Sequence, residues 1–442
     1  MTNAKMTNGT PYPAPYTRYV LGLLLVIYVS NQLDRAVFGV LMEPIRRDLS
    51  LTDTQLGFVT GPALALLYSA LGVPVARWAD RSRRITIMAV ASALWSVIAA
   101  LMATVGSFWQ LALARMGVGI GEAGFSAVAL SVIGDYESDV RRSRALSNFM
   151  LAIPISNVIS NLMGGWVNQF YGWRLVFLIA GLPGVFLALL LLATVKEPPR
   201  RRIEDSKLHR PSLRLVISTL WQRRSLRHLA IAQGLANIVI NAMAWVSVFF
   251  IRRHHMATGE LGSWFVLADG VGGLASIWVS GFMVAHLGAN DARTRARLMA
   301  YAAMFVAPLA LFVLWCPNKT LALLGYFGLN LPMLFYLGPT AALVQDLVAG
   351  NMRATMASVF FLIQLIAGGV IGFQLVGILS DTLARFAGDS TNALRWSMAL
   401  VSMLTLWAAL HFWRAGNSLK QDLAAAISGE SSEAIKPIGP SI

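Results

Sequence analysis

Apolar residues in this chain come in long blocks, broken by short polar stretches. The blocks lie near 16–41, 54–79, 84–105, 108–134, 145–170, 174–195, 229–251, 260–286, 297–316, 320–348, 355–384 and 394–414. Each is about as long as the roughly 20 residues a helix needs to cross a bilayer. Lipid offers the backbone no hydrogen bonds, so a spanning block must close its own as a helix, even where Val and Ile abound. The pattern predicts an all-α membrane protein with twelve transmembrane helices. The longest polar interruption divides them six and six. The predicted organisation is a tail (1–15), a six-helix bundle (16–195), a linker (196–228), a second six-helix bundle (229–414) and a second tail (415–442). Within the linker, Leu213 to Leu226 alternates as an amphipathic helix would. It reads either as a helix lying on the membrane face or as a plain basic connection.

The two halves repeat weakly. Asp135 is followed by Arg144-Ala145, and Asp346 by Arg353-Ala354; Gly172-Trp173-Arg174 opens the sixth block and Leu394-Arg395-Trp396 the twelfth. Pseudo-symmetric six-helix halves imply alternating access, with a site between them.

Composition agrees with the pattern. The chain is 56% hydrophobic and only 13% charged, with a mean hydropathy of +0.62, whereas a soluble protein carries about a quarter charged residues. A net charge of +15 would suggest nucleic acid in a soluble chain. Here the arginines cluster after even-numbered blocks: Arg81, Arg83 and Arg84; Arg141, Arg142 and Arg144; Arg293, Arg295 and Arg297; Arg353. The opposite side carries fewer, among them Arg46, Arg47, Arg174, Arg252 and Arg253. The positive-inside rule then places both termini in the cytoplasm and excludes nucleic acid as the partner. Cys316 is the single cysteine, so no internal disulfide or cysteine metal site is expected. The polar start shows no cleavage pattern, and the first helix is expected to serve as the insertion signal.

Charges inside apolar blocks are the candidate chemistry. The first block carries Asn31, Asp34 and Arg35; the fourth carries Arg115 and Glu122. A central arginine costs about 2.5–3.5 kcal/mol on insertion scales, so such charges face a bundle interior and pair. Arg115 and Glu122 share one helix face, about 10 Å apart along the axis. Asp34 and Arg35 reach a similar depth on a helix of opposite direction. The expected device is a proton switch: ionised Glu122 holds Arg35, and protonated Glu122 releases it to a substrate phosphate or carboxylate. The alternative is a static buried pair that fixes packing. Asn157, Asn161, Asn237, Asn241, Asp269 and Gln364 also sit within apolar blocks. They line a cavity or act as interhelical hydrogen-bonding glue. His228, His286 and His411 lie near block ends and read as interfacial.

Gly119-Ile120-Gly121-Glu122-Ala123-Gly124 formally fits a dinucleotide loop, but no strand precedes it and it lies mid-membrane. Gly117 and Gly121 serve close helix approach instead. No phosphate-loop lysine motif, metalloprotease motif or catalytic triad occurs, so no enzyme, cofactor or metal is expected.

Ala76-Arg77-Trp78-Ala79-Asp80-Arg81-Ser82-Arg83-Arg84 resembles the signature loop of the major facilitator superfamily, with Ala76 and Arg83 in place of its two glycines. Asp80, Arg81, Arg84, Asp135 and Arg144 are the expected cytoplasmic gate. The stretch Gly281 to Gly288 in the second half lacks the aspartate. Asn31-Gln32-Leu33-Asp34-Arg35, Trp95-Ser96, the Arg115 to Ala123 segment, Arg142-Ser143-Arg144, Ala152-Ile153-Pro154 and Gly377-Ile378-Leu379-Ser380-Asp381 together resemble bacterial members of the spinster family. That resemblance implies the major facilitator fold, a bacterial inner membrane, and proton-linked transport of lysophospholipids or sphingolipids by a monomer. It implies that Asp34, Arg35 and Glu122, with Arg115 beside them, couple protons. One departure is Ser156, Asn157, Ser160 and Asn161, where the family is glycine-rich. The competing expectations are proton-linked transport of a small organic anion or a drug-like compound, and a membrane sensor on a transporter fold.

Overall fold

The computed structural model describes residues 12–137, 139–199, 212–288 and 291–434. Both ends of the chain and the basic middle of the linker lie outside the described residues. Those that are described form helices, with no strand among them. Twelve segments are long and apolar enough to span: α1 Ala14–Asp48, α2 from Asp53 (span Asp53–Gly72), α3 Arg84–Thr104, α4 Phe108–Tyr136, α5 Arg141–Tyr171, α6 Trp173–Thr194, α7 Arg224–His254, α8 Thr258–Leu287, α9 Ala292–Trp315, α10 Lys319–Asp346, α11 Gly350–Phe386 and α12 Ser390–Ala426. Apart from the linker between α6 and α7, the loops between them are a few residues long, so consecutive helices within each half run antiparallel. Sequence blocks and helices correspond one to one, with ends that differ by several residues in either direction.

The linker forms a short helix, Leu213–Gln222, whose first turn is capped by the Ser212 hydroxyl accepting from the Leu215 N–H at 3.2 Å. Val216 and Leu220 turn inward, while Leu213, Ile217 and Trp221 are exposed along one line.

Contacts divide the chain into two compact units, and the division does not follow the linker. One unit holds the first six helices together with residues 244–270 and 373–394, the far ends of α7, α8 and α11. The other holds the linker helix, the remainder of α7, α8 and α11, and α9, α10 and most of α12. In the first unit, α3 packs on α6, α2 on α4 and α1 on α5. In the second, α12 packs on α7 and α9, and α7 on α11. Its core includes Leu229, Met299, Phe335, Met356 and Phe412. Large apolar residues remain exposed on lipid-directed faces, such as Leu182, Phe186 and Leu189 on α6 and Trp278 and Phe282 on α8. In water such faces would aggregate; in hydrocarbon they need no cover.

Three helices widen locally to π turns: α5 at Met163–Val167, α8 at Val266–Gly272 and α11 at Leu365–Gly372. The same defect thus recurs in helices of equivalent position in the two halves (α5 and α11). π bulges concentrate at functional segments.

Glycines set two of the closest approaches. A Cβ at Gly121 of α4 would sit 2.8 Å from the Trp95 backbone nitrogen on α3. One at Gly181 of α6 would sit 2.7 Å from the Ser96 carbonyl oxygen, again on α3. Backbone lies on both sides of these contacts, so neither can yield by a rotamer change. Gly181→Ala is expected to cost about 1–3 kcal/mol through overpacking, read as a lowered melting temperature of the purified protein. Gly22→Ala, where nothing lies within 4 Å of the new Cβ, is expected to leave it unchanged.

Candidate functional site

Within the first unit, α1 and α4 bring two acids and two bases together. Arg35 donates from Nε to Glu122 Oε2, and its second nitrogen pairs with the same oxygen. Its guanidinium lies over the Tyr68 ring, 4.7 Å from the centroid. Arg115 is buried, donates from Nε to the Val59 carbonyl at 3.1 Å and lies 4.3 Å over the Phe38 ring. Asp34 lies within electrostatic reach of Glu122, Arg115 and Arg35, with Glu122 close enough for a side-chain hydrogen bond.

The satisfaction of these groups is uneven. Asp34 and Glu122 are 1% and 0% exposed. Neither oxygen of Asp34, nor Oε1 of Glu122, has a donor among the described residues, and both ends of the Asn31 amide and one Arg115 nitrogen are likewise unpartnered. Such groups are costly to bury unsatisfied. A single proton placed on either carboxyl would supply the missing donor between Asp34 and Glu122, and two neighbouring carboxyls sharing one proton is a known resolution of like charge. Arg35 is the more accessible member: its side chain is 29% exposed while that of Glu122 is sealed. The cluster thus places two buried carboxyls, one of them without a donor among the described residues, beside two guanidinium groups.

The other polar residues of the spans are dispersed. Asn161 is buried on α5, Asn157 is half-buried one turn away, and Asp269 is half-buried in the π turns of α8. In the second unit, Asn237 donates to the Tyr336 hydroxyl at 2.7 Å, joining α7 to α10, and Asn241 donates to the Asn237 carbonyl at 3.0 Å. Gln364 is half-buried on α11. His228 and His411 face each other, Nδ1 to Nδ1, at 2.9 Å.

At the end of the first unit that carries the start of α1, Arg84 is the hub. It reaches Asp135 at 2.5 Å, Ser131 at 3.1 Å and Glu197 at 3.0 Å, and Glu197 also accepts from the Ile85 N–H at 3.0 Å. Glu197 was read in the sequence only as the start of the linker. Arg81 is exposed, Arg144 makes no ion pair among the described residues, and the Asp80 side chain lies outside them. The second unit repeats the device more loosely, with Arg295 of α9 at 3.6 Å from Asp346 of α10.

The opposite end of the first unit carries a cluster that sequence reasoning missed. Arg252 of α7 grips Asp53 of α2 through both terminal nitrogens, at 2.9 and 2.6 Å, and Glu43 of α1 through Nε at 2.9 Å. Asp53 also accepts from the Ser380 hydroxyl at 2.7 Å. Asp381 of α11 caps α2, accepting from the Asp53 and Thr54 N–H groups at 3.1 and 2.7 Å. Arg252, Asp53 and Glu43 are all buried. The available signal was two acids at block ends facing a basic block end. Loop counting merged Arg252 into topology.

A family model of the Major Facilitator Superfamily matches residues 24–373. The chain belongs to this superfamily. It is 30% identical over 409 residues to an MFS-type efflux pump of Mycolicibacterium smegmatis, covering 91% of this chain and 93% of that protein. It is 29% identical over 221 residues to protein spinster homolog 1 of Xenopus tropicalis, covering 49% of this chain and 40% of that protein. The crystal structure of a bacterial homolog to the human lysosomal transporter Spinster, inward-facing and unoccupied, superposes with a TM-score of 0.83 at 24% identity. It covers 93% of this chain and 99% of that one, and shows the same fold. Family and fold are those of membrane transporters, not of enzymes.

Removing Arg252 would strand buried Asp53 and part of Glu43. Arg252→Ala is expected to destabilise by about 3–5 kcal/mol, as for other buried pairs broken on one side. Thermal unfolding of the purified protein checks this, and Arg252→Ala combined with Asp53→Ala is expected to recover part of the loss.

Proposed function

We propose that the chain is a proton-coupled secondary transporter of an amphipathic lipid-like anion, of the lysophospholipid or sphingolipid class, working by alternating access. In this reading it is a monomer of a bacterial inner membrane with both termini cytoplasmic, and the linker helix rests in the inner interface on Leu213, Ile217 and Trp221. The observation that carries the proposal is the Asp34–Arg35–Arg115–Glu122 cluster. It combines a sealed Glu122, a partly accessible Arg35 on it, and an Asp34 carboxylate with no donor. With Glu122 ionised, Arg35 is held. A proton entering the carboxyl pair weakens that hold and frees the guanidinium for a phosphate or carboxylate, which it binds as a planar fork. The Arg252 cluster then acts as a second latch, tying the far ends of α7 and α11 to α1 and α2. Likeness to spinster proteins supports the lipid class.

A second reading, export of a small organic anion or drug-like compound, is favoured by a specific observation. The efflux pump aligns along nearly its whole length, whereas the spinster homologue aligns over 40% of its own. The polar run Ser156, Asn157, Ser160 and Asn161 on α5 also suits a less greasy cargo.

Reconstituted proteoliposomes with an imposed pH gradient test both. Glu122→Gln is expected to remove the pH dependence of transport while the protein still folds, because the amide keeps the shape but cannot exchange the charge. Asp34→Asn is expected to blunt it by about tenfold or more, in line with loss of a proton-transfer group. Retained pH dependence in Glu122→Gln would overturn the switch. Uptake of a lysophospholipid against a fluorescent organic anion separates the two cargo classes.

A further inference from the structure

A cavity of about 460 Å³ lies in the first unit, between the N-terminal ends of α1 and α5. Its walls include Thr17 and Arg18 from α1, Glu137 from the end of α4, and Arg141, Arg144 and Asn148 from α5. The α5 residues recur at helical spacing and present one face. Glu137 and Arg141 neutralise each other at 3.1 Å. That leaves Arg18 and Arg144, neither of which makes an ion pair among the described residues. Thr17 is 3% exposed and its hydroxyl has no hydrogen-bond partner among the described residues. A buried hydroxyl and two guanidinium groups, none with a partner of its own among the described residues, make a donor set for an anion. Asp34 is about 25 Å further along α1, so this cavity is separate from the proton-coupling cluster.

We propose that this cavity is a phosphate-binding site. A phosphate monoester carries a charge of about −1.5 to −2 at neutral pH and three acceptor oxygens. The two arginines match that charge and offer planar forks, which bind phosphate oxygens in pairs. Thr17 and Asn148 supply short neutral donors for the remaining lone pairs. A carboxylate would use half of the charge and fewer of the donors. The phosphate comes from a lipid headgroup or from a free solute; the recognition chemistry is common to both. The inference stands apart from the transport reading, since it uses none of the residues of that switch.

The test uses the full chain in phosphatidylcholine nanodiscs at constant ionic strength. One arm titrates inorganic phosphate. The other incorporates phosphatidic acid into the discs, and both read the melting temperature and ligand retention by native mass spectrometry. Saturable binding in either arm supports the site and names the source: phosphate alone a solute, phosphatidic acid alone a headgroup, both the shared group. Arg18→Gln and Arg144→Gln are each expected to weaken binding about tenfold, the scale of one charge-assisted contact. Arg83→Gln, an exposed arginine outside the cavity, is expected to have no effect. Thr17→Val is expected to weaken binding while leaving the ligand-free melting temperature unchanged or raised; a hydroxyl with a purely structural role would lower it. The proposal is overturned if neither probe saturates, if the cavity variants bind like the wild type, or if Arg83→Gln loses as much as they do.

Discussion

A charge inside a bilayer must find a partner, and this chain is arranged by that requirement. A central arginine or aspartate is too costly to leave alone in hydrocarbon. Arg35 and Arg115 therefore fix which faces of α1 and α4 turn inward, and they bring Glu122 and Asp34 with them. The pairing is incomplete, and the incompleteness is informative. A fully satisfied quartet would be a static brace. This quartet holds an aspartate with no donor among the described residues and a partly exposed arginine.

The same physics recurs at both ends of the first unit, with different consequences. Arg84 gathers Asp135 and Glu197 from two further segments, and so ties α3, α4 and the start of the linker into one body. Arg252 gathers Asp53 and Glu43, and so ties a helix of the second half to helices of the first. A buried ion pair is poor evidence for net stability, because desolvation offsets much of its attraction. It is strong evidence for specificity: the groups are tolerable only in the conformation that pairs them. That property suits a molecule that must exchange one arrangement for another. The π turns in α5, α8 and α11 point the same way, since they mark helices whose backbone ladder is already loosened.

Much of the architecture was legible because lipid removes choices. A block of apolar residues in hydrocarbon has only one backbone solution, so twelve blocks became twelve helices. The superfamily was legible from the Asp80-Arg81 loop and from the charges and glycines that Arg115 to Ala123 carries within an apolar block. The glycines of α4 illustrate the reasoning and its reach: small residues implied a close neighbour, and Gly121 indeed lies against α3. That the neighbour is Trp95 could not be read from spacing.

Determined by the sequence alone were the span count, the split of polar from lipid-facing stretches and the short list of charges that had to be paired. Each of these follows from local cost, residue by residue, against one solvent. Tertiary structure decided who pairs with whom. Spacing could not show that Arg84 takes Glu197 from the linker, that Arg252 takes Asp53 and Glu43, or that Asp34 is left without a donor. It also placed the far ends of α7, α8 and α11 with the first six helices, across the boundary the linker suggests. Those outcomes depend on distances between segments far apart in the chain, and a one-dimensional pattern carries the need for a partner but not its address.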